Sequence, residues 1–260
     1  MHSLLEVDRL SKSYAGTGGA VKAVQNVSFI IREGECLGLA GESGCGKSTV
    51  ARLILALDRP DQGDIRMEGS SLFAISPKEL RRKRRLIQAV FQDPSASLND
   101  RLPVWRSVME PLDNFPEETP PFLSDVKGNR RSTAARLFEM VELGPEYLDR
   151  YPHELSGGQR QRVAIARGIS LRPKLLVCDE TTTSLDVTVQ SQVLRMLKQL
   201  QRELSLSFLF ISHDIAVIEQ MSDRIMVMKD GAVVEQFPKE KMWDRNRASY
   251  TRLLISSACF

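Results

Sequence analysis

Eight consecutive residues near the start of the chain have the types and spacing of a loop that holds phosphate groups. Residues 41–48 read Gly-Glu-Ser-Gly-Cys-Gly-Lys-Ser and fit the pattern G-x-x-x-x-G-K-S/T. Glycines let backbone N–H groups close around phosphate oxygens, Lys47 supplies a positive charge, and the Ser48 hydroxyl can bind Mg²⁺. The residues that we expect to line this phosphate loop are Gly41, Ser43, Gly44, Cys45, Gly46, Lys47, Ser48 and Thr49.

The flanking sequence favours a strand before the phosphate loop and a helix after it. The run 36–40 is apolar, and helical spacing is seen for Val50, Leu53, Ile54 and Leu57. The start of such a helix carries roughly half a positive elementary charge, which attracts phosphate. A strand, a glycine-rich loop and a helix in this order are the context that a phosphate-binding loop requires.

Two acidic residues follow an apolar run later in the chain. Residues 174–178 are typical of a buried parallel strand, and Asp179 and Glu180 come at its end. In a protein with a phosphate loop, an acid at this point can hold Mg²⁺ directly or through water. The adjacent Glu180 is then placed to orient and deprotonate an attacking water.

A second candidate anion site is the string Leu-Ser-Gly-Gly-Gln at 155–159, which precedes a predicted helix at 160–170. A serine hydroxyl, two glycines that permit close approach, and the helix dipole behind them favour an anion. An ordinary helix cap would account for Ser156 but not for the pair Gly157 and Gly158. Gln159 completes the string.

Composition and charge restrict the class of protein. The chain has 260 residues, 42% of them hydrophobic, which suits one large globular domain or two closely packed ones. A net charge of +3 gives no reason to expect nucleic-acid binding, and the basic run 81–85 is better explained as a solvated helix face. The four cysteines lack metal-ligand spacing and indicate reduced thiols in a cytosolic protein. Because no long apolar run or signal sequence is seen, we expect partner chains to do any work on a membrane.

Strand-like and helix-like segments alternate over most of the chain, which predicts an α/β fold with a mostly parallel sheet covered on both faces. The strand-like segments are 4–10, 24–31, 36–40, 65–68, 86–91, 174–178, 208–211, 224–228 and 232–236. Helices are predicted at 134–141, 187–204 and 215–221, and Asp230-Gly231 predicts a hairpin between the last two strands. Between 93 and 160 strand-like runs disappear, so we predict an inserted helical subdomain there.

Taken together, these motifs resemble those of the nucleotide-binding subunits of ABC transporters, over nearly the whole chain. The matching features are Tyr14, the Walker A motif at 41–48, Gln92, the signature at 155–159, the Walker B strand at 175–179, Glu180, the D-loop Ser184-Leu185-Asp186, and His213. The resemblance implies one ABC ATPase domain. Segments 1–92 and 174–236 would form an α/β core with an antiparallel N-terminal β subdomain, 93–173 the helical subdomain, and 237–260 a C-terminal tail.

The same resemblance implies ATP and Mg²⁺ as ligands and assigns roles to single residues. Catalysis is expected of Glu180, His213 and Lys47, and metal binding of Ser48, Gln92 and Asp179. Further nucleotide contacts are expected from Tyr14, which would stack on adenine, and from Ser156, Gly157, Gly158, Gln159 and Asp186. Two such subunits would pack head to tail, with each phosphate loop facing the partner's signature. The paired ATPase is an identical or a different chain.

Within this family the chain looks like the shorter ATPase subunit of the dipeptide, oligopeptide and nickel importers. The strings that carry this resemblance are at 90–94, 97–99, 151–154, 186–190 and 250–254. It implies two integral membrane permease subunits, an extracytoplasmic solute-binding protein, a peripheral location at the cytoplasmic face of the inner membrane, and no nucleic acid. In the resembled family the surface at 93–110 receives a short helix of the membrane subunit, and the apolar content of this segment is consistent with that role. The alternative is the ATPase of a non-transport complex, such as phosphonate degradation machinery.

The chain departs from the family pattern at a few positions. Thr181 stands where proline usually follows the catalytic glutamate, Thr183-Ser184 replaces Ser-Ala, and Asp100 replaces a common proline. Losing the proline frees a backbone angle but removes no catalytic group, so we expect activity to survive.

Overall fold

A six-stranded sheet and a four-stranded sheet organise the molecule. The computed structural model describes residues 3–16, 19–94, 97–126, 128–183 and 185–257. The strands are β1 (Ser3–Gly16), β2 (Gly19–Arg32), β3 (Cys36–Ala40), β4 (Gln62–Met67), β5 (Ser70–Ser71), β6 (Ile87–Val90), β7 (Leu175–Asp179), β8 (Ser207–Ser212), β9 (Arg224–Lys229) and β10 (Ala232–Pro238). The helices are α1 (Lys47–Ile54), α2 (Pro77–Leu86), α3 (Val104–Asn114), α4 (Arg130–Met140), α5 (Gly157–Ile169), α6 (Val187–Leu204), α7 (Ile215–Met221) and α8 (Ser249–Ser257).

The larger sheet has the order β10-β9-β3-β8-β7-β6. Strands β9, β3, β8, β7 and β6 are parallel, and β10 closes one edge as the antiparallel partner of β9. Parallel strands need crossover connections that cover both faces of the sheet, which explains why these strands are apolar throughout. Their carboxyl ends therefore meet at one edge, where the phosphate loop and the acidic pair emerge.

Alternate residues of the central strands belong to two different hydrophobic clusters. In β7, Leu176 and Cys178 pack with the helical segment and α6, whereas Leu175 and Val177 pack with α1 and the four-stranded sheet. This follows from the two-residue period of a strand, which directs successive side chains to opposite faces. The sheet is therefore the wall between two apolar cores.

The smaller sheet is antiparallel, with the order β2-β1-β4-β5. Its inner face contributes Leu5, Val7 and Ile65 to the second apolar cluster. The long hairpin of β1 and β2 runs past the predicted sequence limits of both strands and carries Tyr14 at its far end. The two sheets together confirm the predicted fold class.

All regular elements among the described residues from 97 to 170 are helical. These are α3, α4, α5 and three short 3-10 helices at Pro121–Val126, Pro145–Tyr147 and Pro152–Glu154. This agrees with the loss of strand-like patterning in that part of the sequence. The division of the whole chain at 93, 174 and 237 stays a prediction.

Several element boundaries differ from those predicted. The helix after the phosphate loop ends at Ile54, so Leu57 is not part of it; Ala56 has a left-handed φ of 51° and Leu57 is 52% exposed. Helix α5 begins three residues before the predicted start, because Ser156 and Gln159 form a capping box. The basic run 81–85 lies on α2, none of whose residues is buried, as a solvated helix face requires.

Candidate functional site

The phosphate loop joins β3 to α1 at the carboxyl edge of the sheet, in a backbone conformation that requires glycine. Gly46, the N-cap of α1, has a φ of 105°, and a Cβ atom there would lie 2.1 Å from the carbonyl oxygen of Ala23 in β2. At Gly41 a Cβ atom would lie 2.4 Å from the carbonyl oxygen of Met228 in β9. Neighbouring backbone on two sides therefore fixes the loop. Ser43 and Gly44 are exposed at its tip.

Lys47 is buried and its ammonium group spans the phosphate loop. Nζ donates hydrogen bonds of 2.7 Å to the carbonyl oxygens of Gly41 and Glu42, and it lies 3.8 Å from Sγ of Cys45. Burial raises the pKa of the Cys45 thiol, against the opposing influence of Lys47, so the cysteine stays neutral. The loop thus concentrates positive charge on one ammonium group at the start of α1.

The side chains of Asp179, at the end of β7, and Ser48, in the first turn of α1, are in contact. The Ser48 hydroxyl donates to Oδ1 of Asp179 at 3.3 Å. Burial, and to a smaller extent the charge of Glu180, raises the pKa of Asp179. The hydrogen bond from Ser48 and the charge of Lys47 act in the opposite direction and lower this pKa. A partly desolvated carboxylate beside a hydroxyl forms an incomplete set of hard oxygen donors.

Glu180 turns back toward the neighbouring strand. Its φ of 51° is unusual for a residue with a side chain, and its backbone N–H donates to the carbonyl oxygen of Ile211 at 3.0 Å. Oε1 lies 3.3 Å from Nδ1 of His213, which follows β8. The structure therefore brings together two of the residues that the sequence assigns to catalysis.

Gln92 reaches the segment after Glu180. Its Nε2 donates to Oγ1 of Thr183 at 3.4 Å, and the same hydroxyl donates to the carbonyl oxygen of Glu180 at 3.0 Å. Thr183, one of the departures from the family pattern, thus connects Gln92 to the backbone of the acidic pair. Ser184 lies outside the described residues.

Tyr14 is held in place by a network that the motifs do not indicate. Its hydroxyl donates to Oδ2 of Asp58 at 2.7 Å, and Arg52 of α1 binds both carboxylate oxygens of Asp58 at 2.8 and 3.1 Å. The Tyr14 ring is 37% exposed, with Nζ of Lys12 5.6 Å from its centroid. Burial, followed by Asp58, raises the pKa of Tyr14, against a smaller opposing effect of Thr49.

The signature string forms the first turn of α5. The hydroxyl of Ser156 accepts from the N–H of Gln159 at 3.3 Å, and Oε1 of Gln159 accepts from the N–H of Ser156 at 2.9 Å. Gly158 has a packing reason that the sequence did not reveal, because a Cβ atom there would lie 2.5 Å from Cγ1 of Val189 in α6. Gly157 has no such crowding; a Cβ atom there would meet only Leu185, at 3.8 Å.

Neither the signature nor Asp186 is joined to the phosphate loop by a hydrogen bond in the described part of this single chain. Asp186 caps α6, where Oδ1 accepts from the N–H of Val189 at 3.0 Å. Lys47, Ser48, Asp179, Glu180 and His213 therefore form one group at the sheet edge. The first turns of α5 and α6 form another, in which Gly158 packs against Val189.

Known proteins resemble this chain over most of its length. A family model described as ABC transporter matches residues 24–183. A probable peptide ABC transporter ATP-binding protein of Sinorhizobium fredii is 42% identical over 98% of this chain and 72% of its own length. A putative oligopeptide transport ATP-binding protein of Bacillus subtilis is 44% identical over 98% of this chain and 76% of its own length.

Solved structures show the same architecture. A dimeric ATP-binding cassette in a post-hydrolysis state, bound to ADP and phosphate, superimposes with a TM-score of 0.80 at 30% identity, over 90% of this chain and 98% of that one. The cbiO1 protein of Clostridium perfringens, part of an ABC transporter complex, gives a TM-score of 0.80 at 27% identity, over 94% and 92%.

The helices of the described residues all fall short of the length and apolar character that crossing a bilayer requires. The order of the motifs, the group of residues at the sheet edge and the similarity to relatives over almost the whole chain all lead to one conclusion. The chain belongs to the ABC transporter family, as an ATP-binding subunit that hydrolyses ATP to drive import.

Proposed function

We propose that this chain energises the uptake of dipeptides or oligopeptides through separate membrane subunits. The ATP-hydrolysing part of the proposal rests on the placement of Glu180 beside His213 at the sheet edge that also bears the phosphate loop. The similar proteins of S. fredii and B. subtilis are named for peptide and oligopeptide transport, which favours peptides over the nickel or metal-chelate cargo that related importers take. Their names also favour transport over a non-transport complex.

The chemistry rests on residues with separate tasks. Lys47 turns its ammonium group from the loop carbonyls to the phosphate oxygens, where it stabilises charge on the transferring phosphoryl group. Glu180 orients the attacking water and accepts its proton. His213, 3.3 Å from Oε1, keeps that carboxylate directed at the water. Gln92, which is hydrogen-bonded to Thr183, responds to the presence or loss of the γ-phosphate through that contact.

The donor set at Ser48 and Asp179 fits Mg²⁺. Mg²⁺ prefers oxygen ligands and keeps several positions for water and substrate phosphates. Among the described residues no group of three or more metal-binding side chains could hold a metal by itself, so an ion here would depend on nucleotide oxygens as well. When bound, Mg²⁺ neutralises charge that develops on the phosphates. Gln92, the third predicted ligand, comes after β6 at the same edge of the sheet, but its side chain contacts Thr183.

ATP hydrolysis requires a second ATPase subunit in this proposal. The first turn of α5, with Ser156, Gly157 and Gln159, is separate from the phosphate loop of its own chain. Two chains packed head to tail would place it over the partner's nucleotide, and ATP would hold the interface together. Since ATP binds the closed state far better than the open one, hydrolysis reopens the dimer and moves the attached membrane helices.

The full system would contain two integral membrane permease subunits and an extracytoplasmic solute-binding protein. The ATPase would be peripheral at the cytoplasmic face of the inner membrane and would bind no nucleic acid. Its second ATPase would be a copy of this chain or a related one.

The test is uptake by the assembled transporter. Membrane subunits and the solute-binding protein encoded beside this gene would be co-expressed with the chain in vesicles loaded with ATP. We expect accumulation of labelled di- or oligopeptides, and loss of uptake with Lys47→Ala, because the phosphates lose the loop cation.

Two comparisons make this test specific. Accumulation of nickel or a metal chelate in place of peptides would refute the peptide assignment while leaving the importer intact. ATP hydrolysis that never supports uptake of any of these solutes would refute the importer proposal itself.

A further inference from the structure

The peptide bond between Gly41 and Glu42 is held at both of its polar ends by side chains. Its carbonyl oxygen accepts a hydrogen bond of 2.7 Å from Nζ of Lys47. Its N–H group donates to the hydroxyl of Tyr250 at 3.3 Å, across 208 residues of sequence. A peptide group fixed in this way cannot rotate without breaking one of the two bonds.

Tyr250 has a defined place because α8 is anchored on two sides. Leu254 and Ile255 are buried in the first apolar cluster, and the N–H of Ala248, just before α8, donates to Oε2 of Glu235 in β10 at 3.1 Å. Nζ of Lys229 lies 4.9 Å from the centroid of the Tyr250 ring. The hydroxyl is therefore carried to the phosphate loop by packing elsewhere.

The hairpin of β9 and β10 holds the opposite end of the same loop. The N–H of Gly231 donates to the carbonyl oxygen of Cys45 at 3.0 Å. Burial raises the pKa of the Tyr250 phenol, against the hydrogen bond from Glu42, so the hydroxyl stays neutral at pH 7. A neutral phenol accepts a hydrogen bond beside the loop without adding negative charge next to the phosphates.

The two bonds on the Gly41–Glu42 peptide respond differently to a nucleotide. Lys47 must direct its ammonium group toward phosphate oxygens, and the Gly41 carbonyl then loses this donor. The bond from Glu42 to Tyr250 does not involve Lys47 and is free to persist. We propose that Tyr250 is a positioning residue of the ATP site, which keeps this peptide oriented while Lys47 moves and thereby links the docking of α8 to ATP binding.

The test separates binding from turnover. Tyr250→Phe keeps the ring and its contact with Lys229 but removes the acceptor. Loss of one such hydrogen bond should raise KM for ATP and Kd for a fluorescent ATP analogue about three- to tenfold. Since Tyr250 touches neither Glu180 nor His213, kcat should stay within about twofold. Tyr147→Phe, in a 3-10 helix of the helical segment, is the matched control and should leave KM unchanged.

A second measurement needs no variant. Coupling between two sites is reciprocal, so if α8 docking favours ATP binding, ATP must favour α8 docking. Amide hydrogen exchange in residues 249–257 of the unaltered protein should therefore slow when ATP binds, and Tyr250→Phe should abolish that protection.

Three results would overturn the proposal. The first is an unchanged ATP affinity in a folded Tyr250→Phe protein, and the second is an equal loss of ATP affinity in Tyr147→Phe. The third is a rate of amide exchange in α8 that does not change when ATP binds, although the phosphate loop becomes protected. The last result decides the question even when Tyr250→Phe does not fold.

Discussion

Nδ1 of His213 lies 3.3 Å from Oε1 of Glu180, although 33 positions separate the two residues in the chain (213 − 180). The contact follows from topology: β7 and β8 are neighbouring parallel strands with Asp179 opposite Ile211, so the residues after them leave the sheet at the same edge. Glu180 is 17% exposed and His213 49% exposed. The carboxylate is thus partly enclosed, and the imidazole reaches it from the solvent side.

This contact predicts that Glu180 and His213 act as one unit. Glu180→Gln should lower kcat by about 10²–10⁴-fold, the usual contribution of a positioned base. His213→Ala should lower kcat by less, since it removes only the positioning contact. The double variant should then be no slower than Glu180→Gln alone, as non-additivity of cooperating residues requires.

Steady-state kinetics of the four proteins measure this coupling, with His153→Ala as control because that imidazole stacks on Tyr151 outside the site. Strictly multiplicative losses would show that Glu180 and His213 act independently.

The parts of the site that one short motif defines could be predicted from the sequence. The contacts between segments that are distant in the sequence could not. Lys47, Asp179 and Glu180 follow strands whose apolar runs are visible in the sequence, so their common edge could be inferred. The bond between Tyr14 and Asp58 spans 44 residues, and that between Glu42 and Tyr250 spans 208. Neither has a periodic or compositional signal, because side-chain hydrogen bonds between distant segments depend on the packing of complete elements.

Asp58 should contribute both to the stability of the fold at acidic pH and to the binding of adenine through Tyr14. The Arg52 hydrogen bonds, followed by that from Tyr14, lower the pKa of Asp58 from 3.8 to about 2. A carboxyl with a lowered folded pKa contributes stability above its unfolded pKa and loses that contribution as pH falls from about 4 to 2. Asp58→Asn should therefore cost about 1 kcal/mol or less at pH 7, because Arg52 is largely exposed, and should flatten the stability curve in that acidic range.

Denaturant titrations between pH 2 and 7 test the first part. Asp61→Asn, which leaves the Tyr14 hydroxyl bond intact, is the control for the effect on ATP binding. KM for ATP should rise in Asp58→Ala, because Tyr14 then loses the acceptor of its hydroxyl, which the amide oxygen of an asparagine would still supply. An unchanged KM would show that Tyr14 does not depend on Asp58 for its orientation.

Thr181 should be a site where the protein can be stabilised. Its side chain is 1% exposed, and its hydroxyl is among the buried polar atoms without a partner in the described part of the chain. A buried unsatisfied hydroxyl costs about 1–3 kcal/mol, so Thr181→Val, which keeps the shape, should stabilise the fold by a similar order. Thermal unfolding measures the change, and Thr182→Val is the contrasting variant, because the Thr182 hydroxyl accepts from Gln190. A lower midpoint of thermal unfolding for Thr181→Val would mean that the Thr181 hydroxyl has a hydrogen-bond partner in the folded protein in solution.

The signature should serve the partner's nucleotide. Ser156→Arg should block hydrolysis and leave ATP binding intact, since no hydrogen bond joins Ser156 to the described phosphate loop of its own chain. Lys47→Ala should abolish ATP binding in its own loop only. Mixing the two variants should restore one composite site per mixed dimer, which an ATPase titration at varied ratios would detect. Persistent inactivity of folded, dimerising mixtures would contradict a shared site.

The last prediction concerns the surface for the membrane partner, which the family resemblance places at residues 93–110. Most of its apolar side chains prove to be internal: Leu98, Val104, Val108 and Met109 are buried. Met109 therefore does not share an exposed face with Trp105. Leu102 is 41% exposed, and Trp105 is half-buried with Cζ of Arg106 4.4 Å from its ring centroid. These two residues form the remaining candidate docking surface.

Leu102→Asp and Trp105→Ala should uncouple transport from ATP hydrolysis, because aromatic and apolar side chains are enriched where proteins dock. The isolated subunit should hydrolyse ATP at its normal rate in both variants. Leu57→Asp is the matched control, since Leu57 is a similarly exposed leucine outside this segment. Cysteines at the exposed positions 99–102 should also cross-link to a cytoplasmic loop of the co-expressed membrane protein. Uncoupling by Leu57→Asp to the same extent, or an absence of cross-links from folded proteins, would place the docking surface elsewhere.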